Sequence, residues 1–322
     1  TMRRSGQAIL LRVGNRPRNL GDSLFQGWSW LMAAAVFLLI ILLLYALCDG
    51  SRLGLARYGL RFLVTRSWDP VAEEFGALPA MYGTVVSALL ALAVAGPLGL
   101  LAAIYLAELA PRWLDRPLSL LIELLASIPS VVYGLWGLNV LVPILRDPVG
   151  SRLRAALGFL PLFRGPVYGF GMLAAVAILA IMILPYITAV SRDMLRAVPG
   201  DQREAMLALG ATRWEAVWRA VVPYARSGII GGLMLGLGRA VGETMAVTML
   251  IGNRPDISFS LFSPAYTLAS QIANEFTEAT SNLYVSVLIE LGLILFAITL
   301  LLNGLARLLV WRLRCSAAGA RS

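Results

Sequence analysis

Two charged side chains stand inside an otherwise apolar run in the carboxyl-terminal third of the sequence. Arg239 and Glu243 are four residues apart in the run 227–252, so a continuous helix would place them on one face. A charge near the middle of a bilayer costs at least ~2.5–3.5 kcal/mol on insertion scales, so such residues usually face a bundle interior or water. The pair therefore predicts either an internal ion pair that pins a neighbouring helix or a site on an anion path.

The chemistry of the two groups suits the second interpretation. Arginine presents a planar, charged fork that matches phosphate-like oxyanions. A carboxylate beside it accepts a hydrogen bond from a protonated oxyanion and repels one that has no proton to offer. Our hypothesis is that Glu243 favours hydrogen phosphate over sulfate.

Composition excludes most other chemistry. The chain has 322 residues, of which 59% are hydrophobic and 14% charged, whereas soluble domains have ~25% charged residues. All 27 basic residues are arginine, histidine is absent, and the two cysteines are Cys48 and Cys315. This excludes a soluble globular enzyme, a histidine-based metal or haem site, a Ser–His or Cys–His nucleophile pair and a lysine-dependent phosphate loop. Any nucleotide energy must come from another chain, and we expect no cofactor and no metal here.

Apolar runs long enough to cross a bilayer predict an all-α polytopic membrane protein with about six transmembrane helices. The runs are 30–48, 81–107, 118–145, 170–190, 227–252 and 284–306. We expect the first to be a retained helix, because no clear small-residue cleavage site follows it. Bending or partial unwinding is expected in the third run, which is interrupted by Pro129, Gly134, Gly137 and Pro143.

Arginine counts predict the orientation. With the amino terminus inside, the cytoplasmic segments hold seventeen arginines and the outer ones nine. We therefore predict cytoplasmic termini and an inner-membrane location. The predicted parts are a tail at 1–29, a first helix and outer loop at 30–80, a core at 81–306 with a cytoplasmic loop at 191–226, and a tail at 307–322. The excess of arginine is mostly explained by the orientation of the chain in the membrane, so no nucleic-acid partner is expected.

The loop 191–226 is the most organised polar stretch. Asp201 and Glu204 form a capping-box-like start of a first helix, and Gly210 is typical of a helix end. Thr212 and Glu215 match a second capping box, which predicts a helix to Val222, before Pro223. Its apolar side favours either a hairpin lying on lipid headgroups or a knob that docks a cytoplasmic partner.

The spacing in this loop resembles the EAA loop of ABC importer permeases. Glu204-Ala205-Met206 is followed after three residues by Gly210, and after nine more by Ala220-Val221-Val222-Pro223. Met206, Ala220 and Val222 are small apolar departures from the family pattern. The resemblance implies that this loop, with Glu204, Ala205, Gly210, Thr212 and Pro223, couples the chain to an ATPase subunit.

A second resemblance covers roughly residues 80–310. The segments 236–247 and 128–137 are similar to those of phosphate ABC transporter permeases, and the ending Thr244-Met245-Ala246-Val247 is closer to the PstC subunit family than to its paralogue PstA. In that family the residues matched by Arg239 and Glu243 are implicated in phosphate passage. Thr244 belongs to the same motif, and Ser130 and Tyr133 lie at the irregular part of the third run, where we expect contact with the substrate.

The resemblance implies a type I ABC importer permease and a set of partners. These are a homologous PstA-like permease, a PstB-like ATPase dimer that binds ATP and Mg²⁺, an extracytoplasmic PstS-like phosphate-binding protein, and the lipid bilayer. The expected alternative is the same architecture for sulfate or molybdate. A secondary transporter or channel without an ATPase, or a membrane enzyme, fits less well, since no inverted repeat is visible and no nucleophile–base pair is present.

Overall fold

The computed structural model describes residues 20–319, and it describes their side chains except at 20, 22, 112 and 309–319. The outer parts of the two predicted tails, 1–19 and 320–322, therefore lie outside the described residues. Within 20–319 the chain is helical and has no strand beyond two isolated bridges. Its α-helices are α1 (Leu20–Gly50), α2 (Arg52–Tyr58), α3 (Leu78–Ile104), α4 (Arg112–Ser127), α5 (Ser130–Trp136), α6 (Val142–Ile144), α7 (Gly150–Leu157), α8 (Met172–Arg196), α9 (Gly200–Ala208), α10 (Arg213–Ala216), α11 (Val222–Gly242), α12 (Met245–Leu250), α13 (Leu268–Glu275) and α14 (Asn282–Gly319).

The prediction of about six spans is confirmed. Five helices are long and apolar enough to cross a membrane, and a sixth candidate is a helix pair bent by 93°. The pair is Trp113–Ser127 followed by Ser130–Leu157; the five are Ser23–Gly50, Leu78–Leu109, Met172–Arg196, Arg213–Gly242 and Asn282–Leu308. The chain divides into two compact units, the first ending at Ala46 and the second running from Leu47 to Ser322. Where it is described, the first unit is the apolar helix α1; the second holds all the features below.

Helix α8 lies at the centre of the second unit. Its most apolar window is 61% buried, against 33% for the corresponding windows of α3, α11 and α14. Glycines at four-residue spacing let α11 approach α8 closely. A Cβ at Gly228, Gly232 or Gly236 would press on Met194, Val190 or Ile187, respectively. These three glycines therefore lie in the contact with α8, whereas a Cβ added at Gly238 or Gly242 would meet nothing within 4 Å.

The predicted bend in the third run occurs at Pro129. Sixteen residues of α4 span ~24 Å, less than the ~30 Å of a bilayer core, so α4 alone is too short to cross it. Gly134 and Gly137 do not break the helix; they allow α5 and the turn after it to pack on α12, against Met249 and Leu250. Pro143 continues the helix after a π-helical turn at Gly137–Leu141.

A buried carboxylate ties the segment after α2 to the last two helices. Glu275 is 7% exposed and accepts hydrogen bonds from Trp68 Nε1 and Tyr284 Oη, both at 2.6 Å. Burial raises the pKa of Glu275, an effect that these hydrogen bonds oppose. Phe75 stacks on Tyr284 in the same cluster, which anchors residues 64–77 to α13 and α14.

Candidate functional site

Arg239 lies near the carboxyl-terminal end of α11, on the wall of an open groove between α8, α11 and α14. The groove measures about 630 Å³ and is lined by Tyr186, Gly231, Met234, Leu235, Gly238, Arg239, Thr299 and Asn303. The guanidinium lies over the ring of Tyr186, with Cζ 4.6 Å from the ring centroid, which is a cation–π contact. Among the described residues its buried Nε has no hydrogen-bond partner. An arginine held by an aromatic face retains donors for an anion in the groove.

Glu243 lies just past the end of α11 and not within a continuous helix. Helix α11 ends at Gly242, and Glu243 has an extended backbone with φ −70° and ψ 125°. Its carboxylate is 8% exposed, and Oε1 accepts a hydrogen bond from Ala246 N–H in the first turn of α12. No ion pair joins Arg239 and Glu243 within the part of the chain that the structure describes. The internal ion pair of the alternative interpretation is therefore absent there.

The break at Glu243–Thr244 and the break at Pro129 bring their following helices together. Helices α5 and α12 pack on each other, and the Tyr133 side chain lies in one apolar cluster with Ala246 and Leu250. Thr244 Oγ1 donates weakly to Gly242 O, at 3.4 Å. Ser130 is half-buried at the first turn of α5. The predicted residues thus form two groups: Arg239 in the groove, and Glu243, Thr244, Ser130 and Tyr133 at the two breaks.

The loop 191–226 begins differently from its prediction. Asp201 does not cap α9: the helix starts at Gly200, and the flanking Pro199 makes no side-chain capping bond, so the capping role assigned to Asp201 and Glu204 is wrong. The end of α9 is as predicted. Gly210 has φ +84°, its N–H donates to Leu207 O, and Ala211 N–H donates to Met206 O. These two bonds define a Schellman motif, which needs the left-handed conformation that glycine adopts freely.

The second capping box is confirmed. Thr212 Oγ1 accepts from Glu215 N–H at 3.3 Å, while Glu215 Oε2 accepts from Thr212 N–H at 2.9 Å. The helix does not stop before Pro223, which corrects the predicted end at Val222. Helix α10 passes through a π-helical turn, Val217–Val221, directly into α11, so one helix runs from Arg213 to Gly242. Proline cannot donate to the carbonyl four residues before it, and the wider π turn accommodates that missing bond.

Ion pairs fasten the loop to the bundle. Arg203 of α9 makes a forked pair with Glu108, with donor–acceptor distances of 2.6 to 3.1 Å, and it also donates to Leu195 O and Val198 O. Because Glu108 lies in the π turn Tyr105–Leu109 after α3 and Leu195 lies near the end of α8, this arginine joins three elements.

The loop presents an apolar, aromatic surface outside the bundle. Trp214 and Trp218 are 52% and 38% exposed and pack edge to face, with ring centroids 5.5 Å apart. Leu209 is 84% exposed at the turn. The predicted coupling residues Glu204, Ala205, Gly210, Thr212 and Pro223 are all exposed as well. This surface is accessible to a partner.

Two residues of this arrangement were not found by sequence reasoning. Tyr186 looks like one more aromatic residue in an apolar helix, and its position beside Pro185 was the only signal available. Glu108 directly follows an apolar run, and nothing in the sequence links it to Arg203, which lies 95 positions later.

Known proteins resemble the chain at the family level. Residues 95–314 match the family model described as binding-protein-dependent transport system inner membrane component. The chain is 48% identical over 300 residues to a protein of Mesorhizobium japonicum named phosphate transport system permease protein PstC, covering 91% of each chain. It is 44% identical over 316 residues to a protein of the same name in Pasteurella multocida, covering 97% of this chain and 98% of that protein.

Solved structures support the fold. A chain of a bacterial alginate ABC transporter, in complex with an alginate pentasaccharide-bound periplasmic protein, superposes with a TM-score of 0.60 at 16% identity. The match covers 91% of this chain and 98% of that one. A second alginate-importer structure gives a TM-score of 0.58 at 18% identity, over 88% and 98% of the two chains. The architecture is therefore that of a type I ABC importer permease.

Proposed function

The chain belongs to the family of binding-protein-dependent transport system inner membrane components, and from this premise we propose that it is the permease subunit of an ATP-driven importer of inorganic phosphate. It is a multi-pass membrane protein and, as a permease of this family, a transport subunit. The observation that carries the choice of phosphate is the 48% identity, over 91% of both chains, with a protein named phosphate transport system permease PstC.

The groove at Arg239 gives this choice a physical basis. The guanidinium supplies several N–H donors in a plane that matches the oxygens of a phosphate ion. Its contact with the Tyr186 ring, rather than with a carboxylate, leaves the positive charge available to an anion. Thr299 and Asn303 of α14 line the same groove and add polar groups. We propose that Arg239 lies on the path, with Glu243, Thr244, Ser130 and Tyr133 at its border.

The groove is open because α8, α11 and α14 close it on one side only. We propose that a homologous PstA-like permease covers the other side, so that each chain forms half of the path. A PstS-like binding protein would deliver phosphate from outside. The termini would lie in the cytoplasm of a bacterial inner membrane.

Energy would enter through the loop 201–223. We propose that a PstB-like ATPase dimer, which binds ATP and Mg²⁺, docks on the exposed surface with Trp214 and Trp218, while this chain binds neither. Arg203 transmits a movement of α9 to α8 and to the end of α3, through its bonds to Leu195 O and Glu108. Alternating access then follows, because α8 forms one wall of the groove.

The test is phosphate uptake by cells that carry Arg239→Gln. We expect uptake to fall by about tenfold or more, because the substitution removes the charge while keeping a planar polar head, and hydrogen bonds to charged groups are worth about 1.5–3 kcal/mol. Co-purification of the ATPase must stay at the wild-type level, which shows that the complex still assembles.

The matched control is Arg307→Gln, since Arg307 is an exposed arginine on α14 that lies outside the groove lining. Uptake by this control should stay within about twofold of wild type, because the effect of a surface change is usually small. Normal phosphate uptake by an assembled Arg239→Gln complex would contradict a role of Arg239 on the phosphate path and would indicate a structural role. If the wild-type complex takes up sulfate in preference to phosphate, sulfate replaces phosphate as the proposed substrate.

A further inference from the structure

Tyr186 makes two contacts that point in different directions. Its ring supports the Arg239 guanidinium, 4.6 Å from Cζ to the centroid. Its hydroxyl donates to Ala126 O at 2.6 Å, in the last turn of α4. Because α4 ends at Ser127, the carbonyls of its last turn lack helical partners, and a hydroxyl donor satisfies one of them. One side chain thus connects the groove arginine to the 93° break between α4 and α5.

This contact is the innermost of a row along α4 and α8, which run antiparallel. Asp115 pairs with Arg196, and Glu123 pairs with Arg192 at 3.2 Å. Ala126 and Tyr186 follow, further from the cytoplasmic ends of the two helices. Arg192 is 5% exposed, whereas the side chain of its partner Glu123 is 59% exposed. The two ion pairs lie next to the loop 191–226, and the contact between Tyr186 and Ala126 lies at the groove.

We propose that Tyr186 is a positioning residue for transport: it holds Arg239 against the groove wall and couples that position to the break between α4 and α5. This inference rests on the proposed function, since it assumes that an anion passes Arg239. When α4 moves relative to α8, the hydrogen bond from the Tyr186 hydroxyl to Ala126 O moves the Tyr186 ring with it. The ring then shifts the Arg239 guanidinium that it contacts. Such a movement can bend the chain at the break, because among the described residues no backbone helical hydrogen bond crosses Ile128–Pro129 and the two sides are joined by a side-chain bond, from Tyr133 Oη to Leu125 O at 2.8 Å.

Two substitutions separate the two contacts. Tyr186→Phe keeps the ring under Arg239 and removes only the bond to Ala126 O. Tyr186→Leu removes both contacts. The matched control is Tyr82→Phe, because Tyr82 Oη also donates to a backbone carbonyl, Ser258 O at 2.9 Å, but lies outside the groove lining.

The experiment uses the full chain in its complex with the second permease and the ATPase, reconstituted in liposomes with phosphate-loaded binding protein outside. The readout is the number of phosphate ions moved per ATP hydrolysed. A purely structural role would lower assembly and ATP hydrolysis together and leave this ratio unchanged. A positioning role lowers the ratio while ATP hydrolysis continues.

We expect Tyr186→Phe to lower the ratio by about threefold, the effect of one ordinary hydrogen bond, and Tyr186→Leu to lower it by about tenfold through the added loss of the cation–π contact. The ratio for Tyr82→Phe should equal that of wild type. Ratios for Tyr186→Phe equal to those of Tyr82→Phe would overturn the inference, even if Tyr186→Leu fails to assemble. If the wild-type complex itself moves no phosphate, the proposed function fails first and this inference falls with it.

Discussion

Arg239 has its charge beside an aromatic ring, whereas its sequence neighbourhood suggested a carboxylate partner. The sequence identified the residue correctly as the one arginine inside an apolar run. It could not predict that α11 ends at Gly242 or that the Glu243 carboxylate accepts from Ala246 N–H of the next helix. Hydropathy does not detect such a break, because the apolar run continues through it.

The role of Glu243 in substrate choice is testable at this scale. Glu243→Gln keeps an oxygen that can accept from Ala246 N–H, so we expect the start of α12 to remain folded. The amide no longer repels an unprotonated oxyanion. We therefore expect the preference for phosphate over sulfate to fall by about tenfold or more, the effect of losing one hydrogen bond with a charged acceptor. Competition of sulfate with labelled phosphate uptake measures this preference.

The control is Glu278→Gln, an exposed carboxylate beyond α13, which should not change the competition. An unchanged phosphate preference in an assembled Glu243→Gln complex contradicts the hypothesis.

At the scale of elements, the loop 191–226 shows where sequence signals are sufficient and where they are not. Gly210 and the Thr212–Glu215 box were predictable, because each depends on backbone geometry within five residues. The continuation of α10 into α11 was not predictable, because a proline usually stops a helix and the π turn before Pro223 has no sequence signature. The pair Arg203–Glu108 depends on packing between distant elements.

The capping box gives a prediction at this scale. Thr212→Ala removes the side-chain acceptor for Glu215 N–H and should destabilise the start of α10 by about 1 kcal/mol. If docking needs an ordered loop, the affinity of the ATPase for the purified permease falls about fivefold. Titration of the ATPase against the detergent-solubilised chain measures the dissociation constant. Thr212→Ser keeps the hydroxyl and should bind as wild type does; equal weakening by both variants would show that the cap does not order the docking surface.

At the scale of the whole molecule, orientation is predicted from charge and not from contacts. The arginine bias predicts that both termini and the loop 191–226 lie inside and that the segment 146–169 lies outside. A fused alkaline phosphatase should therefore be active after residue 160 and inactive after residue 322, while a fluorescent protein fused after residue 322 should be bright. The reverse pattern would place the loop 191–226 outside the cell and exclude docking of a cytoplasmic ATPase.

The sequence by itself determined the membrane class, the number of spans, the excluded chemistry and the position of Arg239, because these depend on composition and on periods of apolar residues. The tertiary structure alone decided what Arg239 contacts, where α11 ends, and how the loop is fastened. Tyr186, Glu108 and Glu243 illustrate the reason: a side chain's partner is set by the three-dimensional path of the backbone. A helix break of one or two residues changes the direction of the backbone that follows it, and the hydropathy pattern does not reveal the break.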